Sequence, residues 1–163
     1  MFSLFKKTKK VTDVKTLTNS YGLRYDPTLI DGFKNDHKHL LFLHQAMVDS
    51  SKKGDFKTFH LTLKRFTRVL RGHLLKENRY LYTYLEPSLE SDPDSGKIVA
   101  GYKREMQGIG SQVNDFIAKY SKIRLSSEEK STLQRELEPI GYVLSERIEN
   151  EEEVLYPLYM SEG

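Results

Sequence analysis

Residues 56–86 read FKTFHLTLKRFTRVLRGHLLKENRYLYTYLE. Apolar side chains recur at alternating steps of three and four: Phe56, Phe59, Leu63, Phe66 and Leu70. The same stripe continues through His73, Glu77, Tyr80 and Tyr84. This is the period of a helix with one face turned to a core, and the run is far longer than a strand. Asp55 stands where an N-cap belongs. Pro87 disfavours helical geometry for the residue before it, so the helix is expected to end at about Glu86. Two ionisable side chains therefore sit on a core-facing stripe.

The pattern repeats on both sides. A first helix is expected from Asp26-Pro27, a cap followed by proline, to about Ser51, with Lys53-Gly54 ending it. Its stripe is Ile30, Phe33, His37, Leu40, His44 and Met47. Residues 88–96, SLESDPDSG, read as a loop. A third helix follows from about Ser95 to Tyr120 along Ile98, Tyr102, Glu105, Ile109, Val113, Phe116 and Tyr120. Ser126 with Glu129 fits a capping box for a fourth. That helix runs to about Tyr159 on Leu133, Leu137, Ile140, Leu144, Arg147, Glu151, Val154 and Leu158. Pro139 lies inside it and is expected to kink or split it. Four long helices with short connections imply an all-α fold, an antiparallel up-down four-helix bundle over residues 26–160. Residues 1–25 are expected to form a flexible basic N-terminal arm.

Composition narrows the chemistry. The 163 residues suit one domain, and they include no cysteine and no tryptophan. Disulfides, zinc–thiolate sites, iron–sulfur clusters and thiol catalysis are excluded. Any metal would be held by His, Glu, Asp or Tyr, a set suited to iron, manganese or zinc. No glycine-rich phosphate loop, nucleophile elbow or serine triad pattern is present. The formal charge is +3. The Lys64, Arg65, Arg68 and Arg71 face reads as a solvated surface, not a nucleic-acid interface. No apolar run approaches the roughly 20 residues of a membrane span, and no signal-peptide pattern opens the chain, so a cytoplasmic protein is expected. The opening MFSLFKKTKK sets two phenylalanines among four lysines, a short candidate anchor for a membrane surface or a partner.

In an up-down bundle the first and third helices run one way and the second and fourth the other. His37, His73, Glu77, Glu105, Arg147 and Glu151 then all fall toward one end. A buried charge costs several kcal/mol unless it is paired or ligated, so inward charges at one level point to one shared site. His39 and His60 lie off the stripes and are assigned to the surface. His44 alone reads as a hydrogen-bonded boundary residue near the site.

The segments NDHKHLL (35–41), HLLKENRYLYTYLE (73–86) and ERIENEEEVLYPLY (146–159) resemble the hemerythrin-like HHE cation-binding family, over residues 26–159. The resemblance implies a bundle around a non-haem di-iron site and a role in oxygen binding, or in sensing oxygen, nitric oxide or iron. It maps a histidine of the first helix onto His37, an HxxxE pair onto His73 and Glu77, and an acid of the fourth helix onto Glu151. It departs at two places: Glu105 stands nearest the expected histidine of the third helix, and Arg147 replaces the histidine of the second HxxxE. Arginine does not deprotonate and is no ordinary metal ligand.

Two readings stay open. His37, His73, Glu77, Glu105 and Glu151 form a ligand set for iron, di-iron or mononuclear, or for manganese. Arg147, His44, Tyr80 and Tyr102 would surround it, and dioxygen or nitric oxide would be the small ligand. Alternatively Arg147 takes the place of the metal and pairs with the carboxylates. The bundle is then a metal-free regulatory module with a protein partner.

Overall fold

The computed structural model describes residue 22 and residues 24–159, apart from the Gln107 side chain. The proposed arm over residues 1–25 lies largely outside them. Helix α1 spans Leu29–Lys53 and α2 spans Phe56–Lys76. The second rod continues without a break through a π-helical segment, π1, Glu77–Tyr82, and a last helical piece, α3, Thr83–Ser88. Helix α4 is Pro93–Lys122. Helix α5, Lys130–Asn150, continues into a second π-helical segment, π2, Glu151–Leu155, and a 3-10 turn, Tyr156–Leu158. Helix α1 packs on α2 and α5, and α4 packs on the same two, which closes a four-rod bundle. The described residues contain no strand and no helix long and apolar enough to cross a membrane.

The termini follow from local chemistry. Gly54, at φ 68°, takes the left-handed position that ends α1, where a Cβ would be strained. Asp55 then caps α2 by accepting the Thr58 N–H at 3.1 Å. Asp26 does not cap α1 as expected. Its carboxylate accepts the Thr28 N–H and hydroxyl in a local turn, and the helix starts at Leu29. Pro87 is carried inside the last turn of α3, and α4 begins at Pro93, within the stretch read as loop. Pro139 does not split α5, which runs unbroken through it.

Two apolar clusters fill the bundle. One gathers Leu40, Met47, Phe59, Phe66, Val113, Tyr120, Leu133 and Leu144; the other gathers Phe33, Leu81, Leu85, Val99, Leu155 and Tyr159. Along the three rods that begin with α1, α2 and α5 the buried ionisable residues fall between them: His37 follows Phe33, His73 and Glu77 precede Leu81, and Arg147 and Glu151 precede Leu155. Each fully buried Leu or Phe contributes about 1.5–3 kcal/mol. These flanking layers exclude water and raise the energetic stake of every polar group between them.

His44 belongs to the α1–α5 packing and not to the polar layer. Its Nε2 lies 2.9 Å from the Leu137 carbonyl, and its ring rests against Gly141, where an added Cβ would fall 2.8 Å from Nε2 and nearer still to Cε1. Gly141→Ala is expected to push the ring off that carbonyl and cost about 1–3 kcal/mol. Gly72→Ala, with open space at its Cβ, should stabilise by roughly 0.5–1 kcal/mol. Denaturant unfolding of the two variants checks this; equal midpoints would contradict the packing account.

Candidate metal centre

Three rods supply the centre. His37 of α1, His73 of α2, Glu77 of π1 and Glu151 of π2 are buried, and each brings one ligand atom to within 4.8 Å of all the others. His37 Nε2 lies 3.2 Å from His73 Nε2 and 3.0 Å from Glu151 Oε2. His73 Nε2 lies 3.1 Å from Glu77 Oε1 and 3.8 Å from Glu151 Oε2. The outward nitrogens face carboxylates: His73 Nδ1 is 3.1 Å from Asp36 Oδ2, and His37 Nδ1 is 3.2 Å from Glu152 Oε1. Donating Nδ1–H to those carboxylates leaves both Nε2 lone pairs turned inward, the arrangement that holds a metal-binding imidazole.

With those protons outward, two nitrogen lone pairs and two carboxylate oxygens converge. The Tyr156 hydroxyl is the donor among them. Tyr156 Oη lies 2.7 Å from Glu77 Oε1, 2.8 Å from Glu151 Oε2 and 3.1 Å from His37 Nε2, with one hydrogen to share. Acceptors facing acceptors in a dry site need either a proton or a cation between them. The donor set, two imidazoles and two carboxylates, could hold a metal ion.

Arg147 closes the other side. Its Nε donates to Glu151 Oε1 at 2.6 Å, its Nη2 donates to the Tyr82 hydroxyl at 3.2 Å, and its guanidinium lies 4.8 Å from the Tyr102 ring centroid. Burial works against the guanidinium charge, but Glu151 beside it more than offsets this. Glu151 is therefore shared: Oε1 faces Arg147 and Oε2 faces the histidines.

The electrostatics are those of a centre short of positive charge. Burial alone would lower the His73 pKa, yet hydrogen bonds and charge from Glu151 and Glu77 hold it up at about 10. Burial also pushes Glu151 up, but His37, His73 and Arg147 together bring it well below the usual carboxylate range. Glu77 stays raised by burial and by the Glu151 charge, despite His73. Without metal, His73 carries a proton at neutral pH. A folded-state pKa above the unfolded 6.5 stabilises fully below about pH 6.5, and that contribution is lost as pH rises toward 10. Chelator-treated protein should thus melt progressively lower between those limits. A metal must displace the proton, so metal affinity should rise with pH over the same window. Thermal melts and metal titrations at stepped pH check both signs; a flat profile contradicts the assignment of His73.

The structure brings together His37, His73, Glu77 and Glu151 and sets Arg147 against them. It does not bring Glu105 in. That side chain is 67 % exposed, and its Oε2 reaches only the rim of the site, 3.6 Å from Arg147 Nη1. Tyr80 is 50 % exposed and turns away, and His44 lies in the α1–α5 seam. Tyr102 is half-buried beneath the guanidinium. His39 is exposed, whereas His60 is half-buried and its ring nitrogens meet the carbonyls of Phe56, Tyr120 and Ile123.

The stripes missed Tyr82, Tyr156, Asp36 and Glu152. For the tyrosines the cause is the π-helical turn. Both π segments begin on a carboxylate of the centre, and a π turn carries one residue more than an α turn. The buried face then falls on the fifth residue after the glutamate, which is Tyr82 after Glu77 and Tyr156 after Glu151. A recurring E-x-x-x-L-Y, in ENRYLY (77–82) and EEEVLY (151–156), was the available signal.

Comparison with known proteins agrees with this geometry. No curated protein and no solved structure matches the chain. A family model, the hemerythrin HHE cation binding domain, matches residues 28–159, which cover every residue of the centre. The chain belongs to the hemerythrin HHE cation-binding domain family.

Proposed function

We propose that the protein binds one divalent metal ion, non-haem iron in the first place and manganese as the competitor, through His37, His73, Glu77 and Glu151. The observation that carries this is the convergence of two buried imidazole Nε2 atoms and two buried carboxylate oxygens within 4.8 Å of one another. Helix α4 adds no ligand to that group, and Arg147 supplies the positive charge on the far side of Glu151. That arrangement favours one ion over two.

Bound iron would supply a coordination position for a small ligand such as dioxygen or nitric oxide, and the reading is accordingly a binding or sensing role. The chain's own residues set the conditions for it. Asp36 and Glu152 orient the imidazoles, Phe33 packs edge-on against His73, and Tyr156 holds a hydroxyl hydrogen against Glu77 and Glu151. The test is titration of chelator-treated protein with iron(II) under anaerobic conditions. Binding to the folded state alone raises the melting temperature with metal concentration and releases protons. A melting temperature indifferent to iron and manganese contradicts the proposal.

A second reading rests on the 2.6 Å Arg147–Glu151 pair: with a proton on His73, the charges balance well enough for a metal-free module that acts through a protein partner. It predicts the same melt with and without chelator.

A further inference from the structure

Helices α1 and α5 part along their outer side and leave an open groove of about 600 Å³, with His44 lying against Gly141 along it. On α1 the groove side follows steps of three and four through Lys38, Leu41, Gln45, Val48 and Lys52. On α5 the same steps give Glu138, Tyr142, Ser145 and Glu149. Residues at such steps share one helix face. Leu41 and Tyr142 are exposed on it, Tyr142 by 71 %. Each helix thus presents an apolar centre with a charge on either side, lysine at both ends on α1 and glutamate at both ends on α5.

These four charges are exposed, and none has an ion pair among the described residues. The other charges nearby do not cancel them. Asp49 is engaged by Gln45 at 2.9 Å, and Arg135 lines the opposite groove, toward α4. Asp31 and Lys34, of opposite sign, lie beyond the groove in the first turns of α1. The contact of His44 with Gly141 sets the levels of the antiparallel helices. Counting about 1.5 Å per residue from it, Lys38 comes level with Glu149, Leu41 with Tyr142 and Ser145, and Lys52 comes within a side chain's length of Glu138.

We infer that this face is the contact between two copies of the chain, related by a two-fold axis running along the bundle. Such an axis lays α1 of one copy over α5 of the other and preserves every level. Lys38 then meets Glu149 of the partner subunit, Lys52 meets Glu138 of the partner subunit, and the two Leu41–Tyr142 centres close on each other. An apolar centre with a polar rim is the usual anatomy of an interface. A different protein would need the inverse charge pattern at the same levels; a second copy supplies it by symmetry. The inference does not rest on the metal, since no ligand of the centre takes part.

Sedimentation equilibrium of the full chain, from micromolar to millimolar concentration, is the test. The parent chain should approach twice its monomer mass and dissociate more readily as salt is raised. Tyr142→Glu should weaken the dimer by about tenfold or more, whereas Leu61→Glu, at an exposed position on α2, should leave it unchanged. Lys38→Glu and Glu149→Lys should each weaken it by about tenfold when alone. Mixed together, those two variants should associate about as well as the parent, because each then offers the charge that the other faces. Only a contact of α1 with the partner's α5 restores association in this way. A parent chain that stays monomeric throughout overturns the inference. So does a dimer indifferent to Tyr142→Glu, one weakened equally by Leu61→Glu, or a mixture no tighter than either variant alone.

Discussion

Arg147→Ala is expected to destabilise the chelator-treated protein by about 3–5 kcal/mol, the usual cost of removing one partner of a buried ion pair. The cause is what remains behind. Glu151 is buried between two apolar layers and loses a 2.6 Å charge-assisted bond, and the Tyr82 hydroxyl loses its donor at 3.2 Å. The guanidinium also packs over Tyr102, so alanine opens a void as well. For a chain of this size the loss corresponds to a fall of roughly 10 °C in melting temperature. Arg147→Met keeps most of the volume and separates charge from packing: a drop close to that of alanine assigns the effect to the unpaired Glu151. Added metal should recover part of the stability in both variants, since a cation on Glu151 Oε2 again offsets the charge. Unchanged melting of Arg147→Ala would show that Arg147 does not serve as a cation for the centre.

His73→Ala is expected to bring metal occupancy close to background. His73 is central to the set: its Nε2 lies within 3.8 Å of His37, Glu77 and Glu151. Loss of an outer hydrogen bond to a ligand commonly costs 10–100-fold in affinity, and loss of the ligand itself should exceed about 100-fold. Asp36→Asn is the graded comparison. It keeps the imidazole but weakens the acceptor on Nδ1 and frees Lys76, which now holds Asp36 at 2.7 Å, so affinity should fall within that 10–100-fold range. Elemental analysis after dialysis against limiting metal measures both. Parental metal content in His73→Ala would remove His73 from the site, and an Asp36→Asn effect as large as that of His73→Ala would contradict the orienting role given to Asp36.

The stripes located the bundle and the centre because burial enforces helical periodicity. His37, His73, Glu77, Arg147 and Glu151 stand in register with Phe33, Leu70 and Leu144, so once the apolar face was found they followed from counting. Counting failed where the turn changes. After Glu77 and Glu151 the chain winds through π turns, and the three-to-four step put Tyr80 and Val154 inward although they are 50 % and 41 % exposed. The structure buries Leu81, Tyr82, Leu155 and Tyr156 in their place. Helix α4 failed for another reason. Its four glycines, at 96, 101, 108 and 110, all precede Val113 and leave that stretch with a weak apolar signal. The stripe was begun on Ile98, which is 42 % exposed, where Val99 is the buried residue. That one-residue error is enough to turn Glu105 inward on paper, whereas in the structure it meets Arg147 from the rim. Asp36 and Glu152 carry no periodic signal, since their value lies in the Nδ1 atoms they face.

The central claim is a one-metal centre in which Arg147 stands where a second cation would. The most direct measurement is the metal-to-chain ratio of untagged protein purified aerobically from iron-supplemented cells, with amino-acid analysis as the denominator and the visible spectrum taken alongside. The account predicts about one iron or manganese per chain and no oxo-bridge band. Two irons per chain with such a band would contradict the role of Arg147, and a ratio near zero that stays there after anaerobic iron loading would contradict the metal centre itself.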